Sequence, residues 1–208
     1  MMGRLIAVEG IDGSGKSTQA RLLADSLGAM HTFQFGATET GQIIRKLLLD
    51  PANKTLSDRS EALLIIADKA QHVAEIVGPA LTAGQDVVSD RFTASTLAYQ
   101  GYGRGLDLHE LEMMMRFATG AIEPDLNLLL DLPVELALGR QGPNPDRFEA
   151  GGSDFLERVR NGYLAMADDD PDRWLVVDAS GSEEQVSAHV QAAMQAWTTG
   201  LSRDVSDK

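Results

Sequence analysis

The stretch Gly10-Ile11-Asp12-Gly13-Ser14-Gly15-Lys16-Ser17 has the residue types and spacing to grip a polyphosphate. It fits the pattern G-x-x-x-x-G-K-S and is followed by Thr18. Glycines let a backbone wrap closely and turn successive N–H groups toward phosphate oxygens. A helix starting at the end of the loop adds the positive end of its dipole. Lys16 is the residue to reach terminal phosphates, Ser17 is an oxygen ligand for Mg²⁺, and Thr18 lies toward the α-phosphate. The pattern predicts binding of a nucleoside triphosphate and leaves the reaction open.

Three other groups of residues could act on such a ligand. Asp90-Arg91 closes an apolar run, and ligands of open α/β sheets sit beyond the carboxyl ends of strands. An Asp there serves a magnesium ion or acts as a base, and the Arg clamps a phosphate. Ser95, Thr96, Tyr99, Gln100 and Arg104 follow, with Ser95 and Tyr99 spaced to share one helical face. Arg140 and Arg147 lie in residues 140–152, a stretch rich in Gly and Pro that reads as a lid. A guanidinium delivered by a closing lid stabilises charge on a phosphoryl group in transit.

The elements that must position these groups follow from hydrophobic period. Short β-branched or apolar runs predict strands at 5–8, 30–33, 86–89, 126–131 and 174–178. Helical spacing predicts helices over about 17–26, 41–50, 58–83, from 94, 108–119, 133–139, 153–166 and 182–197. Asp58 with Glu61, and Ser182 with Gln185, have capping-box spacing. Strands alternating with helices predict an α/β chain with a five-stranded parallel sheet flanked by helices. We expect a single domain over 1–198 and a polar tail over 199–208.

Composition narrows the partners. The chain has 208 residues, 43% of them hydrophobic, enough for one well-buried core. It has no cysteine, which excludes disulfide scaffolds, zinc–thiolate sites and a Cys nucleophile. With 18 basic and 31 acidic residues the net charge is −13, which opposes sequence-independent binding to nucleic acid. No apolar run reaches membrane-spanning length, and the short apolar start runs into Glu9 and Asp12 without signal-peptide features. The expectation is a soluble cytoplasmic chain with a small-molecule substrate and no membrane partner. The four histidines lack metal-ligand spacing, and Met113-Met114-Met115 reads as packing or interface.

In order and spacing, GIDGSGKS, GQIIRKLLL, ADKAQHV, DRFTASTLAYQGYGRG, PDLNLLLDLP and DRFE resemble the thymidylate kinase family. The resemblance runs from about residue 4 to 180, and DRFTASTLAYQG is its most specific segment. It implies a P-loop nucleoside monophosphate kinase-like three-layer fold, ATP-dependent phosphorylation of dTMP to dTDP, Mg²⁺ and a homodimer. Carried over by motif, Gly10 through Thr18 hold ATP, and Ser17 with Asp90 serve the metal. Asp12 lies near the substrate sugar and the reacting phosphate. Arg91 meets the monophosphate and Arg45 lies near the substrate. Ser95, Thr96, Tyr99 and Gln100 meet base and deoxyribose, with the Tyr ring disfavouring a 2′-hydroxyl. Lys16, Asp12, Asp90, Arg91, Arg140 and Arg147 are the implied catalytic group. The loop positions Ile11, Asp12, Gly13 and Ser14 hold no Arg, which resembles the bacterial subtype whose lid supplies the cation.

The substrate half departs from the family pattern. Where many members read T-R-E-P-G-G-T, this chain reads Thr32-Phe33-Gln34-Phe35-Gly36-Ala37-Thr38. A related variant has Phe at the position of Phe33 and Arg at that of Gly36; neither cation is present here. The family's base-stacking aromatic aligns with Ile65, and its base-bonding Arg aligns with Lys69. Lys keeps the charge and loses the planar fork. Phe33 and Phe35 are the candidate replacement rings. Two alternatives stay open: a kinase for another deoxypyrimidine monophosphate (dUMP or a 5-modified one), and a non-catalytic nucleotide-binding homologue. A guanine-reading switch is disfavoured, because Asn53-Lys54-Thr55-Leu56 lacks the Asp of N-K-x-D and comes too early.

Overall fold

A computed structural model describes residues 2–50, 52–53, 55–140 and 152–206, the last seven as backbone only. The strands are β1 (Leu5–Glu9), β2 (Met30–Phe33), β3 (Val87–Asp90), β4 (Leu126–Asp131) and β5 (Trp174–Asp178). They form one parallel sheet in the order β2-β3-β1-β4-β5. Central β1 is buried along its whole length. Its side chains alternate, Ile6 and Val8 into the larger core, Leu5 and Ala7 into a second core on the other face. The five expected strands are all present. β3 runs one residue further than its apolar pattern, so Asp90 is its last residue.

Helices cover both faces: α1 (Lys16–Leu27), α2 (Glu39–Leu49), α3 (Asp58–His72), α4 (Gly78–Thr82), α5 (Thr93–Thr96), α6 (Leu108–Thr119), α7 (Val134–Arg140), α8 (Ser153–Asp169) and α9 (Glu183–Ser206). The helix expected over 58–83 is interrupted. A π-helical turn, Val73–Val77, separates α3 from α4. Pro79 has no N–H and its ring crowds the preceding turn, and beside it Gly78 N–H bonds back five residues to Val73 O. The helix expected from 94 is likewise a short α5 that widens into a π-helix over Leu97–Gly103. The cap of α3 also differs from expectation. Ser57, not Asp58, accepts from Ser60 N–H. Glu61 is buried and turned away from the cap toward Gln100 and Arg104. The capping box of α9 forms as expected: Gln185 N–H donates to Ser182 Oγ, and Ser182 N–H donates to Gln185 Oε1.

The parallel arrangement brings the carboxyl ends of β1, β2 and β3 to one rim. Register pairs Val8 and Phe33 with Asp90, so Glu9, Phe33 and Asp90 stand side by side where the phosphate loop begins.

Candidate active site

The loop after β1 is shaped by its glycines. Gly10 has φ 143°, and a Cβ there would lie 2.6 Å from Leu130 O of the neighbouring strand. Gly15 has φ 87° with open space around it, so the αL geometry, not crowding, requires glycine just before α1. The helix therefore starts with exposed amides and no side-chain cap, an arrangement suited to an anion.

Lys16 is buried and donates to Ile11 O at 2.8 Å, with Asp12 Oδ1 at 3.7 Å. Burial, with the Arg91 charge second, lowers its ammonium to about 8. Ser17 Oγ donates to Asp90 Oδ2 at 2.5 Å, and the buried Asp90 Oδ1 has no partner among the described residues. A hydroxyl on a carboxylate with an oxygen to spare fits a magnesium ion whose other ligands are phosphate oxygens and water. Among the described residues no cluster of three or more His, Asp or Glu forms a metal site by itself.

Arg91 is the hub. It has φ 70°, unusual for a non-glycine residue, and its N–H is fixed on Val8 O at 2.9 Å. Its Nη2 donates to Asp12 Oδ1 at 2.5 Å and to Tyr99 OH at 3.2 Å. Its Nη1 meets Gly10 O, Ser95 Oγ and Tyr163 OH at 3.0–3.2 Å. Burial would raise the Asp12 carboxyl, but Arg91 and then Lys16 overcome that and hold it well below the usual carboxylate range. Tyr99 OH also donates to Asp12 Oδ2 at 2.8 Å. Ser95 and Tyr99 share one face, and the Arg91 guanidinium ties them to Asp12.

Two residues of this cluster are not among the sequence candidates. Glu9 is fully buried and accepts from Phe92 N–H at 2.7 Å, Ser95 Oγ at 2.5 Å and Tyr163 OH at 3.2 Å. A carboxylate ending an apolar strand just before the loop is the signal that could have found it. Tyr163 comes from α8, far along the chain, and carries no such signal.

A cavity opens beside Arg91. Asp12, Gln34, Phe35, Arg45, Ile65, Lys69, Thr96, Tyr99 and Gln100 are among its walls. Arg45 donates to Phe35 O at 2.9 Å and its guanidinium lies 5.2 Å from the Phe35 ring centre. Lys69 donates to Gln34 Oε1 and sits 5.0 Å from the Phe92 ring centre. Burial lowers the Lys69 ammonium to about 8, with Glu9 and then Asp68 partly restoring it. The Gln100 amide is held on Glu61 Oε1 at 2.8 Å, which braces the π-helix against α3. Of the two candidate rings, Phe35 lines this cavity, and Phe33 lines the adjoining cleft of Asp12, Lys16, Ser17, Asp90 and Arg91.

Arg140 stands apart. Its guanidinium donates to Gly13 O, Ala179 O, Ser180 O and Gly181 O at 3.2–3.4 Å. It walls a third pocket with Gly13, Ser14, Gly15, Thr18 and Gln19, on the far side of the phosphate loop from Arg91. Arg147 and most of the expected lid lie outside the described residues.

Two pockets on either side of one phosphate loop suit two nucleotides, and this fold carrying them is that of the P-loop nucleoside monophosphate kinases, a class of phosphotransferase. A family model described as thymidylate kinase matches residues 8–190. The thymidylate kinase of Desulfovibrio desulfuricans is 46% identical over 206 residues, covering 92% of this chain and 95% of the relative. That of Desulforudis audaxviator is 45% identical over 203 residues, covering 94% of this chain and 92% of the relative. A crystal structure of thymidylate kinase from Ehrlichia chaffeensis matches with TM-score 0.78 at 28% identity, over 93% of this chain and 100% of that one. The chain belongs to the thymidylate kinase family.

Proposed function

We propose that the chain transfers the γ-phosphoryl group of ATP to dTMP, giving ADP and dTDP for dTTP supply. The observation that carries this reading is the shared wall of two cavities. Asp12, Gln34, Arg45 and Arg91 line both the cavity beside Arg91 and the cleft holding Lys16, Ser17 and Asp90. An acceptor phosphate at Arg91 therefore faces a donor phosphate at Lys16.

Lys16 and the loop amides hold the β- and γ-phosphates, and Gly10 to Thr18 form the donor seat. Ser17, with Asp90 behind it, would hold a magnesium ion, which when bound would neutralise negative charge on the phosphates. Arg91, with Arg45 beside it, places the acceptor phosphate in line. Asp12 orients Arg91 and keeps Lys16 charged. An oxygen of the acceptor phosphate attacks the γ-phosphorus, the bond to the β–γ bridging oxygen breaks, and its electron pair leaves on ADP. A phosphate monoester is already anionic near neutral pH, so no side chain has to take a proton. Ile65, Lys69, Thr96, Tyr99 and Gln100 surround the nucleoside, with Ser95 beneath the phosphate clamp. Arg140 braces the donor pocket. Arg147, from the lid, is assigned the transition-state charge.

The working form is read as a homodimer. Leu63 and Ile66 of α3 and Met113, Met114 and Phe117 of α6 line one apolar depression, with Phe117 90% and Met113 59% exposed. An exposed apolar face of this kind fits a second copy. No helix among the described residues is long and apolar enough to cross a membrane. A place in the cytoplasm, beside ATP and the machinery that uses dTTP, is part of the same proposal.

A coupled ADP-release assay with a panel of monophosphates tests the function. We expect dTMP to give the highest kcat/KM, above dUMP, dCMP and purine monophosphates. No ADP release above the ATP-only background, or a preference for another acceptor, would overturn the reading.

A further inference from the structure

We infer that Gln34, clamped by Lys69, reads the base of the acceptor nucleotide and selects a pyrimidine bearing a carbonyl rather than an amino group at C4. This inference rests on the reading of the cavity as the acceptor site and names how that site discriminates.

The assignment follows from what each group is able to donate. Lys69 lies in α3, and its ammonium is buried against the Phe92 ring. An ammonium only donates. The Gln34 atom facing it is therefore the carbonyl Oε1, and the orientation of the amide is settled by chemistry. Burial lowers Lys69 only to about 8, so it stays protonated at neutral pH and the clamp holds.

With Oε1 taken, Nε2 remains. Gln34 is buried, and its Nε2 has no hydrogen-bond partner among the described residues. Thr96 Oγ1, on the same cavity, is also buried and without a partner there. Buried polar groups are almost always paired, so an unpaired one on a cavity wall is open to a hydrogen bond from a ligand. Phe35, Ile65 and Phe92 on the same cavity offer apolar faces to a ring, the guanidiniums of Arg91 and Arg45 serve a phosphate, and the buried Asp68 Oδ2, also without a partner among the described residues, adds an acceptor to the wall.

An NH₂ donor distinguishes the pyrimidines. Thymine and uracil present an acceptor oxygen at C4, whereas cytosine presents an NH₂ donor. Against cytosine, the Gln34 donor would face another donor and both would stay unpaired. A site built to hydrogen-bond one partner rejects the mismatched one strongly, because its buried groups are left without bonds.

The test is calorimetric binding of dTMP and 5-methyl-dCMP, which differ at C4 and at the adjoining N3, to the wild type and to Gln34→Glu, the change in their ratio isolating the Gln34 contact. The variant is isosteric and keeps an acceptor for Lys69 while replacing the donor by an oxygen. The wild type should prefer dTMP by about 100-fold, and the variant should lose at least about tenfold of that ratio. A wild-type ratio within about threefold of unity overturns the inference without any variant having to fold. So does a folded Gln34→Glu, with unchanged ATP affinity, that weakens both ligands equally. Label transfer from ATP, measured alongside, separates this from the kinase reading. Selective binding without transfer removes the kinase and leaves the base reader; transfer with a ratio indifferent to residue 34 does the reverse.

Discussion

Asp12 and Arg91 meet at 2.5 Å, a carboxylate from the loop after β1 against a guanidinium from the end of β3. That pair stands where the donor cleft and the acceptor cavity join, and the register of Val8 with Asp90 puts it there. Neither partner is tied to the other alone. Asp12 also holds Tyr99 and neighbours Lys16, so one contact couples both phosphate seats.

Replacing Arg91 should expose this coupling. In Arg91→Ala the acceptor phosphate loses its donor, and Asp12, Ser95 and Tyr163 lose a shared partner. Removing one preorganised donor at a reacting centre costs about 100- to 1000-fold in rate. We expect a loss of that size in kcat/KM for dTMP, with ATP affinity changed much less. Steady-state kinetics with each substrate varied in turn checks it; an unchanged dTMP term contradicts the clamp.

ATP affinity should fall in alkaline solution. Lys16 titrates at about 8 in the free chain. A bound polyphosphate favours the charged form and raises that value, so binding takes up a proton above pH 8. Affinity is then full below pH 8 and declines by up to about tenfold per unit above it. Binding titrations from pH 7 to 9.5 follow this directly, and a flat profile contradicts the role of Lys16.

Stability should fall in mild acid through His72. Burial, then the Lys69 charge, lowers the imidazole from 6.5 to about 4, and its Nε2 pairs with Thr32 Oγ1 at 2.7 Å. The unfolded chain takes up the proton near 6.5 while the folded chain resists it. The contribution is full above pH 6.5 and is lost as the pH falls toward 4, about 3 kcal/mol in all. Urea unfolding of the wild type and His72→Gln across that range should show the slope flattened in the variant. Parallel slopes would contradict it.

Phe117→Glu should give a monomer. The substitution puts a charge on the apolar face of α3 and α6, and two copies would bring two such charges together. Sedimentation at micromolar concentration should shift from dimer to monomer, with the melting of the monomer still cooperative. A wild type that sediments as a monomer contradicts the interface.

Much of the architecture was legible before the fold. Leu126–Asp131, Trp174–Asp178 and Leu108–Thr119 are bounded by turn residues and have an unambiguous period, and they form with the expected ends. The π-turn before Pro79 was not legible, because it depends on how a missing N–H is absorbed by the hydrogen-bond ladder. At the site, Asp12, Lys16, Ser17, Asp90 and Arg91 were marked by local motifs. Glu9 with Tyr163, 154 positions apart, and Lys69 with Gln34 were not, since only tertiary packing pairs them. Arg140 was legible as a cation near the lid, but its placement on the carbonyls of Gly13 and Ala179 depends on where α7 ends against β5.

The most direct measurement is transfer of radiolabel from γ-labelled ATP to dTMP with magnesium present. Label should appear in dTDP in step with ADP, and in Lys16→Ala the rate should drop by about 1000-fold, the loss expected when the group holding the transferred phosphate is removed. Label that stays in ATP, or that leaves only as inorganic phosphate while dTMP is untouched, would contradict phosphoryl transfer between the two sites.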